Sequence, residues 1–488
     1  MSLSKSKYIK GIQCKKILWL EKNKPEKKEE IGNESVLETG NFIHEVAKYL
    51  FNNHINIEFS ENLSDMIENT NYTIESYKNV VITEASFNYD NNFCSVDILK
   101  KDGNKYEIYE VKGSTKINDV YIKDISYQYY VLTSLGLNVC KCYLVYLDKN
   151  YVRDEELDLN MLFIKQDITE EIINLQSEVK QNINKINEYL LNTIEPKEEI
   201  DEKCFKPYDC PFFSYCTRHI PKYSVFNLSG MSISKKISLY KQGLISYEDL
   251  LKLDINESFK QQIDFELNNK SPYINKEKIR KFLKELTYPL YFLDFETCQQ
   301  PIPLFKDVSP YMQIPFQYSL HIITEENGPL IHTEFLGDGV NDPRRKLAEQ
   351  LVNDIPKDVC TVAYNMTFEK TIIKSLARLY PDLKDHLMNI HNNMKDLMVP
   401  FKNRYYYTKD MKGSYSIKYV LPALYPDDPS LNYSNLDQIH NGSEAMNSYN
   451  KLKNLNTEEQ EKLRYNMLKY CSLDTFAMVR IWEYLKKI

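Results

Sequence analysis

Asp294 and Glu296 stand two residues apart in the apolar stretch YFLDFETC, and Glu110 and Lys112 stand two apart in YEIYEVKG. Both stretches read as strands, rich in aromatic and branched residues. Side chains two apart on a strand share a face, so Asp294 and Glu296 crowd one patch. Like charges so placed repel and resist desolvation. A divalent cation removes the conflict, and Mg²⁺ or Mn²⁺ prefers carboxylate oxygens and brings its own waters. The chemistry this predicts is hydrolysis, with the pKa of water lowered and the charge on a phosphate balanced.

One strand cannot complete such a site, and further acids follow. VAYNMTFEKTII carries Glu369 behind Asn365 and Phe368 at a strand-to-helix transition. YCSLDTFAMVRIWEYL is a periodic helix with Tyr470 and Asp474 four apart, hence on one face. Asp396, in MKDLMVPF, is another acid, expected beside the site. The order D-x-E, N-x-x-F-acid, Y-x-x-x-D resembles the DnaQ-like, or DEDDy, 3′–5′ exonucleases. That resemblance implies that Asp294, Glu296, Glu369 and Asp474 hold metal and that Tyr470 orients the attacking water. Glu369 departs from the aspartate usual there, and its longer arm bears on metal affinity.

In the amino-terminal half, Asp97 follows CSV, and hairpin strands bring it towards Glu110 and Lys112. An E-x-K pair alone is a weak motif, better read as an exposed strand pair. With His44 in GNFIH upstream and Gln128 in SYQYY downstream, the set resembles the RecB branch of the PD-(D/E)xK nucleases. The resemblance implies metal on Asp97, Glu110 and His44, a water-assisting Lys112 and a positioning Gln128. Cys204, Cys210 and Cys216 are spaced six apart in CFKPYDCPFFSYC, and Cys14 lies near the start. Four thiolates can hold zinc or an iron–sulfur cluster. The pattern resembles the cluster-bearing CRISPR-associated and AddB-type nucleases, which implies a 4Fe–4S cluster ahead of zinc. Cys94, Cys140, Cys142, Cys298, Cys360 and Cys471 read as ordinary buried cysteines.

The elements that position these residues fall into three regions of the 488-residue chain. Residues 1–220 mix helices with consecutive strands turning at YDNN and KDGN. Residues 221–285 read as a helical connector with a faint helix-hairpin-helix likeness. Residues 286–488 return to an α/β pattern. The expected fold is α/β: a restriction-endonuclease-like core followed by a ribonuclease H-like (DnaQ-like) mixed sheet. The net charge of −7 excludes a uniformly basic surface but not a local basic channel. No apolar run reaches the ~20 residues of a membrane span, and the lysine-rich start lacks a secretion core. Ten cysteines in a chain of this length do not suggest a disulfide framework. A cytoplasmic location is expected.

DFETCQQPIP, PFQYSLHI, GSYSIKYVLPALYP and YCSLD also resemble a bacterial family catalogued as domain of unknown function 2779, whose members often join the two nuclease types. The expected activity is a metal-dependent, two-site nuclease on DNA, acting on single strands or ends in repair, recombination or defence. Lys and Tyr interleaved in KNRYYYTKDMKGSYSIKYV suit backbone tracking and base stacking. The alternatives are a non-catalytic nucleic-acid-binding scaffold and an RNA 3′–5′ exonuclease.

Overall fold

The computed structural model describes residues 2–30 and 34–488. It is an α/β protein with two mixed sheets separated by helices. The chain forms two compact units, Met1–Ile220 with Gln300–Met312 and Pro221–Gln299 with Gln313–Ile488. The helical stretch 221–285 thus lies in the second unit, and thirteen residues from beyond position 286 lie in the first.

In the first unit, strands β1 (Leu3–Ser4), β2 (His54–Asn56), β3 (Asn79–Tyr89), β4 (Asn92–Asp102), β5 (Lys105–Lys112), β6 (Asn138–Leu147) and β7 (Phe163–Asp167) share one sheet. Their order is β2-β3-β4-β5-β6-β7, with β1 beside β4. Asp90 and Asn91 both take positive φ and close the β3–β4 hairpin in the tight turn whose twist suits the flanking strands. The β5–β6 pair is parallel and therefore needs a crossover, supplied by the helix Asp119–Ser134. Both faces of the sheet are covered. Cys94, Val96 and Ile108 pack with Ile125 and Leu132 of that helix, while Ile98, Val111 and Val145 pack with Ile43 and Ala47 of the helix Glu34–Lys48. Ile302 joins the latter cluster, and the backbones of Asp307 and Val308 bond to Arg153, which holds 300–312 in this unit.

In the second unit, β8 (Tyr273–Ile274) pairs a short strand, Tyr406–Tyr407, apart from the main sheet. The main sheet runs β11-β10-β9-β12-β13, with β9 (Leu290–Cys298) central, β10 (Ile314–Ile323), β11 (Leu330–Leu336), β12 (Cys360–Ala363) and β13 (Met394–Asp396). The pairings β9–β10 and β10–β11 are antiparallel, and β9–β12 and β12–β13 are parallel. Strand β9 divides its residues by the period of two. Tyr291, Leu293 and Phe295 pack against the helices Arg344–Asp354 and Thr367–Leu379. Leu290 and Phe292 pack against Ala477, Met478, Ile481 and Trp482 of the helix Thr457–Lys486. Asp294 and Glu296 continue that second row, towards the long helix. An Asn456–Glu459 capping box starts this helix. No helix among the described residues is long and apolar enough to cross a membrane.

Candidate metal centre

Asp294, Glu296 and Cys471 form a group that could hold a metal ion, with one ligand atom from each lying within 4.8 Å of the others. Strand β9 supplies the two acids and the helix Thr457–Lys486 the thiol. Glu296 and Cys471 are buried and Asp294 is half-buried. The Cys471 Sγ lies 3.9 Å from the Asp294 carbonyl oxygen and 4.0 Å from its Oδ2. One helical turn away, Asp474 accepts a 2.6 Å hydrogen bond from the Tyr433 hydroxyl, and its ionised form is also favoured by a bond from Tyr470.

The electrostatics describe acids short of positive charge. Burial, then the charges of Asp474, Glu296 and Glu369, push Asp294 well above the usual carboxylate range. Burial and Asp474 push Glu296 up to about 8, against the opposing field of Lys418. Glu369, 3 % exposed on the helix Thr367–Leu379, is pushed by burial to about 8, and its Oε2 has no hydrogen-bond partner among the described residues. Burial raises Asp474 to about 6 despite its two tyrosine partners. Desolvated carboxylates that raise one another in this way are held together by a cation or by protons.

Asp396 accepts from the backbone N–H groups of Asn365 and Met398, at 2.9 and 3.0 Å. It thereby fixes the left-handed turn at Asn365 (φ 69°) that leads into the helix of Glu369. Behind Asp294, its cross-strand partner Ser319 shares the Thr475 hydroxyl with His321.

The first unit brings its expected residues together, but around lysines. Glu110 is fully buried and accepts from Lys112 (2.6 Å), Lys5 (2.9 Å) and Gln128 (2.6 Å). Lys112 also reaches Asp124 at 2.7 Å, and Lys5 lies 3.6 Å from Asp97. Burial alone would raise the Glu110 carboxyl, yet Lys112 and Lys5 hold it well below the usual range. Asp124 moves the other way, raised by burial, and its Oδ1 is unpartnered among the described residues. Two ammonium groups thus face three carboxylates, Glu110, Asp97 and Asp124. The Asp97 Oδ2 accepts from the Val111 N–H at 2.7 Å. The His44 Nε2 sits 3.0 Å from the Val111 carbonyl, which assigns the proton to that nitrogen.

The cofactors expected from the sequence need correction. Among the described residues, Asp294, Glu296 and Cys471 make the one group of three or more ligand atoms so closely gathered. No Mg²⁺ or Mn²⁺ site is evident among the described residues of either unit. In the first, Lys5 and Lys112 already balance the acids. In the second, the gathered set includes a thiol, a soft donor that suits those oxygen-seeking ions poorly. Nor do Cys14, Cys204, Cys210 and Cys216 form a 4Fe–4S or zinc site of this kind. Cys14, Cys210 and Cys216 pack instead against Ile17, Trp19, Leu20 and Phe212, and burial pushes the Cys210 thiol up to about 12.

In the sequence Cys471 reads as ordinary core, and nothing in its own spacing argues otherwise. Tyr433, Lys418 and Lys5 carry no signal of their own in the sequence either. Asp124 lies four before Gln128 on one helix, a spacing that could have revealed it.

Comparison with known proteins bears on the acidic strand. Residues 291–416 match the family model "Domain of unknown function (DUF2779)". The DUF2779 segment includes Asp294, Glu296, Glu369 and Asp396 and ends before Tyr433, Cys471 and Asp474. The chain is 27% identical over 288 residues to uncharacterized protein UU173 of Ureaplasma parvum serovar 3, covering 54% of this chain and 41% of that protein. It is 24% identical over 408 residues to uncharacterized protein MG366 of Mycoplasma genitalium, covering 71% of this chain and 58% of that protein. The matched chain spans about half the length of these relatives.

Proposed function

We propose that the second unit is a metal-dependent nuclease that hydrolyses phosphodiester bonds, with the polarity of a 3′–5′ exonuclease. The observation that carries the reading is the set of mutually destabilising acids Asp294, Glu296, Glu369 and Asp474, drawn from β9 and two helices. The residues fit a cation: the Glu369 Oε2 is buried without a partner among the described residues, and every one of the four carboxyls is raised rather than lowered. Asp294, Glu296 and Cys471 would hold the ion, with Glu369 and Asp474 adding charge. When bound, such an ion polarises a phosphoryl oxygen and lowers the pKa of water. Tyr433 and Tyr470 keep Asp474 oriented as a hydrogen-bond acceptor. Lys418 lends positive charge that a phosphate entering beside the acids requires.

The central acidic strand and the long helix carrying Tyr470 and Asp474 support the DnaQ-like reading of this unit. The RecB-like resemblance of the first unit favours DNA ends or single strands as substrate, with RNA the competing polymer. For that first unit, Lys5 at 2.9 Å from Glu110 favours a second reading, a nucleic-acid-binding scaffold whose acids are already neutralised.

The test is digestion of end-labelled single-stranded DNA and RNA by the full chain, with divalent cations supplied one at a time. Stepwise shortening from the 3′ end, lost in Asp294→Asn and retained in Lys112→Ala, is expected. Cleavage of neither polymer under any cation would leave the scaffold reading.

A further inference from the structure

A cavity of about 590 Å³ shares residues with the surroundings of the acidic group. Among its lining residues are Lys418, Leu421, Tyr425, Leu431, Tyr433 and His440. Two of these face both ways. Tyr433 lines the cavity and donates to Asp474 at 2.6 Å. Lys418 lines it and acts electrostatically on Glu296 and Asp474. The volume falls within the roughly 300–1,000 Å³ of small-ligand sites. A larger cavity of about 750 Å³, lined by Arg404 and by residues such as Leu251, Asp264, Phe265 and Tyr273, shares no residue with the acidic group.

We propose that the smaller cavity is a nucleotide subsite, taking the base of a chain end on its aromatic and aliphatic wall and the adjoining phosphate at Lys418. This deepens the nuclease reading and rests on it. Tyr425 is a rigid wall: its hydroxyl donates to the Arg480 carbonyl at 2.9 Å, and the Arg480 guanidinium lies 4.7 Å from its ring centroid. Bases stack on such rings with little regard to sequence. Leu421 and Leu431 are buried in the same core as the long helix, so the apolar floor is preformed. Asp428 also lines the cavity, but Arg480 at 3.5 Å balances it, and it caps the turn at Ser430. Lys418 is exposed and carries no comparable commitment within the cavity wall, so its ammonium can meet a phosphate as a point charge. A phosphate held there sits next to Tyr433 and hence beside Asp474. The cavity lies beyond the DUF2779 segment, whose match ends at residue 416.

Calorimetric titration of the full chain with dAMP, AMP and deoxyadenosine tests the subsite. Lys418→Gln is expected to weaken both mononucleotides about tenfold, the scale of one charge-assisted bond, and to leave deoxyadenosine unchanged. Lys418→Arg should retain mononucleotide binding, and Tyr425→Leu should weaken all three ligands. Tighter dAMP than AMP points to DNA ends, and the reverse to RNA ends. Equal mononucleotide affinity in wild type and Lys418→Gln overturns the proposal. The nuclease reading is scored separately. Strand cleavage with an unaltered KM in Lys418→Gln sinks the subsite alone, whereas Lys418-dependent mononucleotide binding without cleavage sinks the nuclease and leaves the subsite.

Discussion

The Lys5 ammonium stands 2.9 Å from the Glu110 Oε1, deep in the first unit. In the second unit the cation acting on Glu296 and Asp474 is Lys418, and it forms no ion pair with either among the described residues. The protein thus carries two groups of buried acids in opposite electrostatic states. One is balanced by the chain's own lysines, and the other calls for a charge from outside. That contrast can be tested in each unit.

Breaking the balanced group should cost stability. Lys5→Met leaves Glu110 with one lysine and Asp97 with none. The pair is buried at the glutamate, while the lysine side chain keeps a quarter of its exposure. The full 3–5 kcal/mol of a broken buried pair is therefore discounted to about 1–3 kcal/mol. Urea unfolding followed by circular dichroism measures it, and an unchanged midpoint would show that Lys5 is not the counter-charge.

The unbalanced group should respond with the opposite sign. Glu369→Gln removes a carboxyl that burial makes costly to ionise and whose Oε2 has no partner among the described residues, so the ion-free protein is expected to melt a few degrees higher, at about 2–4 °C per kcal/mol for a unit of this size. Strand cleavage should fall at least about tenfold in the same variant. A lower melting temperature together with full activity would remove Glu369 from the site.

Cys471 decides which ions the candidate metal centre could take. Cysteine thiolate favours thiophilic ions, and carboxylates favour oxygen-seeking ones. Binding of Cd²⁺ should therefore produce a sulfur-to-metal charge-transfer absorption that Cys471→Ser abolishes and Cys298→Ser does not. If the band survives in Cys471→Ser, the thiol is a bystander.

These residues differ in how visibly the sequence announces them. Asp294 and Glu296 are legible because charges inside an apolar strand violate its pattern, and the period of two then fixes their face. Tyr470 and Asp474 are legible from their spacing on a long periodic helix. Cys471 is hidden because a buried thiol looks like any small core residue. Lys5 is hidden in a lysine-rich start, where the strand pairing of Leu3 and Ser4 with β4 depends on distant sequence. Lys418 and Tyr433 precede and follow the proline-rich stretch PALYPDDPS, where no periodicity points to a shared face. The segment 300–312 falls within the α/β region expected from 286 onward, yet Ile302 finds its core in the first unit.

His321 gives a pH dependence free of the metal ligands. Buried against His332 and bonded to Thr475, its imidazole is lowered to about 4 by burial first and by His332 second. The unfolded chain binds a proton near the ordinary value of about 6.5, so between 6.5 and 4 the unfolded state holds more protons. The contribution is complete above about pH 6.5 and is lost as pH falls towards 4. Melting curves across this range should show a steeper loss in wild type than in His321→Gln, and parallel curves would contradict the assignment.

Cation binding to the second unit is the most direct measurement. Calorimetric titration of the full chain with individual divalent cations, from oxygen-seeking to thiophilic, should reveal a site that disappears in the Asp294→Asn/Glu296→Gln double variant and persists in Lys112→Ala. Binding that the double variant leaves intact, or no binding by any of these ions, would contradict the account.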